Sequence, residues 1–163
     1  MPRRGEGCNS NCHSTGWAEN AAAKLKDMPV KQKLDWMHKR QKTYSGIGDA
    51  KVRTYGKRRL PTCIKLESGL LMPGFLESHE QDGNHPLLLS SAAQAKMGMI
   101  KDMRSGTVFL RGQGDFVKLY EAAGSGLKVI CVSHWPIGKY TPSMFVEKIY
   151  GQDIRNEWPR CLR

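Results

Sequence analysis

No run of apolar residues in this 163-residue chain approaches the roughly 18 that a membrane-crossing helix needs. The opening Met1-Pro2-Arg3-Arg4-Gly5 has none of the apolar stretch of a secretory signal, so a protein off the membrane and intracellular by default is expected. The 17 glycines and 8 prolines are scattered, and apolar residues still make up 39%. Collagen, coiled coil and a wholly disordered tail are thereby excluded. Cysteine is odd in number and widely spaced, at Cys8, Cys12, Cys63, Cys131 and Cys161. Without a secretory segment these read as reduced thiols, with Cys63 and Cys131 in core strands and Cys161 exposed. Carboxylates are few, 15 against 26 Lys and Arg, and the balance is +11.

That positive excess concentrates at Lys31–Lys42 and Lys51–Arg59, and it attracts polyanions at long range without specifying a fold. Its members include Lys31, Lys33, Lys39 and Arg40 in the first run and Lys51, Arg53, Lys57, Arg58 and Arg59 in the second. Tyr44 and Tyr55 flank the second run with no RNA-binding signature around them. The expectation is a basic solvated face with weak, non-specific affinity for nucleic acid.

The first 16 residues predict no regular element. Trp17–Met28, with Ala21-Ala22-Ala23 inside it, predicts a helix ended by Pro29. Val30, Leu34, Met37 and Gln41 recur at helical spacing and predict a second helix from Val30 or Lys31 to about Gln41. From Thr43 the period changes, and Tyr44, Ile47, Val52, Tyr55 and Leu60 predict a twisted hairpin turning near Asp49-Ala50. Thr62–Leu66 and Leu70–Glu77 form the next strand pair around Ser68-Gly69, with Pro73 marking an edge or a bulge. Leu87–Leu89 is expected as a strand and Ala92–Met97 as a helix, capped by Ser90 or Ser91 and stopped by Gly98. Met99–Met103 and Thr107–Leu110 follow as strands around Arg104-Ser105-Gly106. After a short apolar patch at Phe116–Tyr120, Leu127–Val132 reads as a strand and Met144–Tyr150 as a last helix capped by Ser143.

Candidate chemistry is sparse. Gly46-x-Gly48 and Gly5-x-Gly7 lack the preceding strand, the glycine spacing and the Lys-Ser/Thr of a phosphate loop, and are read as turns. Cys8, Cys12 and His13 offer three zinc-type ligands, with His79 or His85 as a distant fourth. No second cysteine pair completes a tetrahedron, so no metal or other cofactor is expected. A Cys–His dyad could be drawn from Cys8 or Cys131 with His13, His79 or His134, and is set aside. Asp102, Glu77 and Glu80 are expected as surface carboxylates.

Three segments taken together resemble the retropepsin-type aspartic protease, in its single-lobe, retrotransposon-derived branch. Gly5-Glu6-Gly7-Cys8-Asn9 stands where that family has Asp-Thr/Ser-Gly followed by a small residue or Cys. The stretch from Tyr44 to Gly56 is similar to the glycine-rich flap hairpin, with Gly46, Gly48, Asp49 and Gly56 as flap-like positions. Pro86–Ser90, Ala92–Gly98, Met99–Asp102 and Gly106-Thr107-Val108 resemble the family's apolar strand, short helix and closing turn. There Leu88, Leu89 and Ser90 would support the cleft. The resemblance spans residues 5–110, about two-thirds of the chain.

The resemblance implies a mostly β fold with helical insertions, a retropepsin-like lobe incomplete at its N-terminus. Residues 1–16 would be a remnant of the active-site loop, 17–42 a basic helical insertion, 43–110 the β core and 111–163 an extension. In the family, two subunits each give one aspartate, and the pair shares a proton across one water. That aspartate falls here on Gly5, and Glu6 takes the neighbouring position, whose side chain points away from substrate. A pseudoenzyme is therefore expected, binding a peptide or dimerising rather than cleaving. One alternative is a fragment of an active, polyprotein-processing aspartic endopeptidase whose full gene supplies the missing strand and aspartate. Another is a basic nucleic-acid-associated module.

Overall fold

A computed structural model describes residues 10–28, 33–45, 50–136 and 141–146. The elements are β1 (Cys12–Ser14), α1 (Thr15–Lys26), β2 (Asp35–Ser45), β3 (Lys51–Lys65), β4 (Leu71–Gln81) and α2 (Ser91–Lys96). They continue with β5 (Met99–Asp102), β6 (Thr107–Leu110), β7 (Asp115–Lys118), β8 (Tyr120–Glu121), β9 (Lys128–Val129) and a 3-10 turn at Pro142–Met144. The fold is mostly β, with the strands in three sheets ordered β1-β4-β3-β2, β5-β6-β7 and β8-β9.

The chain forms two compact units. One contains β1, α1, β2, β3 as far as Pro61, β4 from Phe75 and the chain to Ala93. In it, Ser14 ends the parallel pairing of β1 with β4 and also starts α1, its hydroxyl accepting the Trp17 amide at 3.0 Å. The helix therefore begins at Thr15, two residues before the Trp17 start that composition indicates. Lys24 and Lys26 in the last turn suit its negative end.

The helix expected through Gln41 is absent among the described residues from Lys33 on, and Asp35 onward is strand β2, antiparallel to β3; residues 29–32 lie outside the described ones. The inward residues are Leu34 and Trp36, with Asp35 and Met37 exposed, which is a period of two. Register shifts at Trp36/His38 and Lys39/Lys42 then break that alternation, so the strand pattern is invisible beyond the first few residues. The expected insertion thus contributes most of a strand, Asp35–Lys42, to the sheet. Gly46, Gly48 and Asp49 lie outside the described residues.

The other unit holds β3 from Thr62, β4 as far as Gly74 and the chain from Gln94. Its core is Ile64, Leu66, Val108, Leu110 and Val117, flanked by Met72, Met97, Met99, Leu119, Ile130 and Val132. Local signals work well along the chain from Ser90 to Leu110. Ser90 Oγ accepts the Ala93 amide at 3.1 Å to cap α2, and β5, β6 and the turn between them form as expected. The boundary expected at 110/111 falls inside paired structure, because β6 pairs with β7 from Thr107↔Lys118 to Leu110↔Asp115.

Three other expectations are corrected. Leu87–Leu89 is not a strand; only Leu88 bridges Cys12, through N–H···O bonds of 2.8 and 3.1 Å. Of Leu127–Val132, only Lys128-Val129 is strand, while Val132 O accepts the Cys63 amide and Cys63 O accepts the His134 amide. At the expected last helix, Pro142–Met144 is a 3-10 turn and Phe145 bridges Leu71, so the backbone there joins a strand instead. Residues 147–150 lie outside the described ones.

At Gly56 the β2 and β3 backbones approach closely. Its φ is 120°, and a Cβ there would sit 2.3 Å from His38 O and 2.8 Å from Arg40 N, both backbone atoms. Gly69 (φ 91°) has nothing within 4 Å. Gly56→Ala should cost at least about 2 kcal/mol in denaturant unfolding, because strain and clash add. Gly69→Ala should cost only about 1 kcal/mol, from left-handed backbone alone.

Candidate functional site

The most organised cluster of polar side chains joins β1, β3 and β4. Parallel pairing sets His13 beside Glu80, and alternation on β4 puts Ser78 on the same face as Glu80. His13 Nδ1 lies 2.8 Å from Ser78 Oγ, and His13 Nε2 lies 3.2 Å from Glu80 Oε1. Arg58 reaches in from β3, donating Nε–H to the same Oε1 at 2.9 Å and Nη1–H to Leu34 O at 2.9 Å. The Arg58 guanidinium also lies over the Trp36 ring, 3.8 Å from its centroid.

A carboxylate can only accept, so Nε2 carries the proton, and Nδ1 of the neutral ring accepts from the Ser78 hydroxyl. The connectivity is that of a Ser–His–acid triad. It is not a nucleophilic site, since His13 and Ser78 are 0% exposed and no substrate carbonyl can reach Oγ. Glu80 is itself only 5% exposed, which corrects its expected place at the surface. Burial pushes the His13 pKa down, outweighing the hydrogen bond and attraction of Glu80, and Arg58 and His85 add to the lowering.

Asn11 ties the segment before β1 to two others. Its Nδ2 donates to Glu77 O at 3.0 Å, and its Oδ1 accepts the Ser90 amide at 2.7 Å. With the Cys12–Leu88 bridge, this brings Asn11 and Cys12 against Leu88–Ser90. Ser90 is buried and Leu89 half-buried, whereas Leu88 is 47% exposed. Gly5, Glu6, Gly7 and Cys8 lie outside the described residues. Gly56 is buried in β3.

Of the zinc-type set, Cys8 lies outside the described residues, and the two ring nitrogens of His13 are taken by Ser78 and Glu80. Among the described residues no group of three His, Cys, Asp or Glu is placed to hold a metal ion. Cys131 and His134 line one groove of about 300 Å³, also bordered by Lys65, Lys118 and Tyr120. Cys131 Sγ is 3.6 Å from Ser133 Oγ, and burial, then Lys65, lowers the His134 pKa. The Cys63 thiol is pushed up to about 12 by burial, with Cys131 adding to it. Burial also lowers the pKa of His79, whose ring faces His38 with centroids 6.3 Å apart. Glu77 pairs with Lys57 at 2.6 Å, and Asp102 accepts the Arg104 and Ser105 amides in its turn.

Sequence reasoning missed the Ser78–His13–Glu80–Arg58 network because its members lie far apart in sequence, His13 and Glu80 being 67 positions apart. The alternation Ser78-x-Glu80 was the one signal available, and it reads equally as a solvent-facing stripe. No protein-family model matches the chain, and no curated protein or solved structure does either.

The lowered His13 pKa has a definite sign. Below the ordinary value of 6.5 the unfolded chain takes up the proton first, so stability falls until the folded ring also protonates. His13→Leu should destabilise by about 2–4 kcal/mol near pH 8, where it strips partners from buried Ser78 and Glu80. Urea titrations of both chains should show that difference shrinking as pH drops below 6.5.

Proposed function

We propose that this chain is a retropepsin-like domain of the retrotransposon-derived kind, without peptidase activity, acting by binding a peptide or a second copy of itself. One convergence supports the reading most. Asn11 and Cys12 are held against the stretch ending in Ser90 by the Cys12–Leu88 bridge and the Asn11–Ser90 hydrogen bond. The stretch ending in Ser90 belongs to one of the three segments that carry the resemblance, and the β2–β3 hairpin, which holds the described part of another, lies in the same sheet as β1. A mostly β fold with a short helix after Ser90 accords with it. Among the described residues no helix is long and apolar enough to cross a membrane.

The chemistry of such a site needs a water polarised between two carboxylates of unequal proton affinity. With Gly5 at the aspartate's position, a symmetric pair of these chains would place no carboxylate there. The expected outcome is no cleavage of a mixed peptide library from about pH 3 to 7, and no signal from a statine-type transition-state mimic. Turnover that disappears in Glu6→Gln would show that a shifted carboxylate does the work, and would overturn the reading.

A further inference from the structure

The β2–β3 hairpin has a part that packing does not explain. From Lys39 to Ser45 on β2 and from Lys51 to Arg53 on β3, every residue whose side chain is described is exposed. A two-stranded ribbon open on both faces gains little from apolar burial and is marginal by itself. What it displays is charge: residues 39–53 hold five cations, Lys39, Arg40, Lys42, Lys51 and Arg53, against one carboxylate, Asp49. The carboxylates nearer the base are already engaged, Glu77 with Lys57, Glu80 with Arg58 and His13, and Asp82 with the Tyr55 hydroxyl. Among the described residues none forms a salt bridge with the five ribbon cations.

The register distributes these cations over both faces. Lys51 and Arg53 share one face with Ser45 and Thr43, while Lys42, opposite Thr54, and Lys39, opposite Gly56, take the other. The shift between Lys39 and Lys42 adds the strand's extra residue where Arg40 and Gln41 lie. Cations at alternate strand positions are about 6.8 Å apart, close to the rise of two nucleotides along one DNA strand. The side chains between them, Gln41, Thr43 and Ser45, are of the kinds that hydrogen-bond phosphate and sugar oxygens. A membrane surface would need an apolar wedge, and Val52 is the one large exposed apolar side chain described on this stretch.

We propose that the outer part of the β2–β3 ribbon, Lys39–Ser45 with Lys51–Arg53, is a docking arm for nucleic acid that binds the phosphate backbone without reading sequence. A major groove about 12 Å wide admits a two-stranded ribbon, which lets cations on both faces meet phosphates on both walls. This inference is independent of the retropepsin reading and survives its failure. Affinity near physiological salt falls in the non-specific range, with Kd about 10⁻⁴–10⁻⁶ M. Five phosphate contacts give a slope of log affinity against log salt of about −4.5, on the order of a 500-fold loss from 50 to 200 mM.

The test is a fluorescence titration of a short mixed-sequence duplex against three chains. They are the unmodified protein, a ribbon variant (K39Q, R40Q, K42Q, K51Q, R53Q), and a control with equal charge loss (K24Q, K26Q, K96Q, R104Q, R111Q). The proposal expects the ribbon variant to lose most of the salt slope and at least about 10-fold in affinity at low salt, while the control keeps both. Equal losses in the two variants would mean that net charge alone binds, and would overturn it. Tighter binding to phosphatidylserine vesicles or poly-glutamate than to duplex at matched salt would overturn it too. Acetylation mapping of the unmodified chain removes any dependence on how the variants fold. Duplex should protect Lys39, Lys42 and Lys51 and leave Lys24 and Lys26 reactive, and failure to protect the ribbon lysines refutes the arm.

Discussion

A neutral imidazole held between a hydroxyl and a carboxylate is the constraint on which the first unit depends. β1 is three residues long, too short to hold its place by ladder bonds alone, and it starts the helix that follows. His13 fastens it by bonding Ser78 and Glu80 on β4, and Arg58 extends the same network to β3. The Trp17 ring, one turn into α1, then lies 5.6 Å from the imidazole centroid. The place of β1 in the sheet and the burial of these polar side chains are therefore set by one set of contacts, next to the Ser14 cap that starts α1.

Such a network stabilises only when complete. A buried carboxylate loses several kcal/mol of hydration, which Arg58, His13 and the surrounding dipoles must return. An apolar replacement of the whole set would tolerate sliding of β1 along β4, whereas the present one accepts a single register. This is why chemistry that looks catalytic in its connectivity serves here as a lock. The same reasoning separates His13 from His134, which borders an open groove and carries no such load.

Legibility followed the range of the interactions. α2, β5 and β6 were readable because a serine cap and the turns at Gly98 and Gly106 act within a few residues. The β3–β4 turn at Ser68-Gly69 was readable for the same reason, with Gly69 at positive φ. β2 was not, since its strand state comes from pairing with β3 and its register shifts hide the period of two. Leu87–Leu89 has strand composition yet finds only Cys12 as a bridging partner, at Leu88. Of the buried network, residue types were visible but partners were not. The aspartate position at Gly5 and the flap-like Gly46 and Gly48 lie outside the described residues.

Cys63 carries a consequence of a different kind. Its thiol is wholly buried in β3, with the backbone N–H and C=O on either side bonded to Val132 and His134. A thiol whose pKa is about 12 presents almost no thiolate at neutral pH, and alkylating reagents react with the thiolate. Labelling at Cys63 must therefore wait for the strand to open, and its rate reports that opening directly. Cys12 and Cys131, both half-buried, are the contrasting sites that a reagent meets while the strand is still closed. The chain thus contains its own clock for the breathing of β3, readable by mass spectrometry without any added probe.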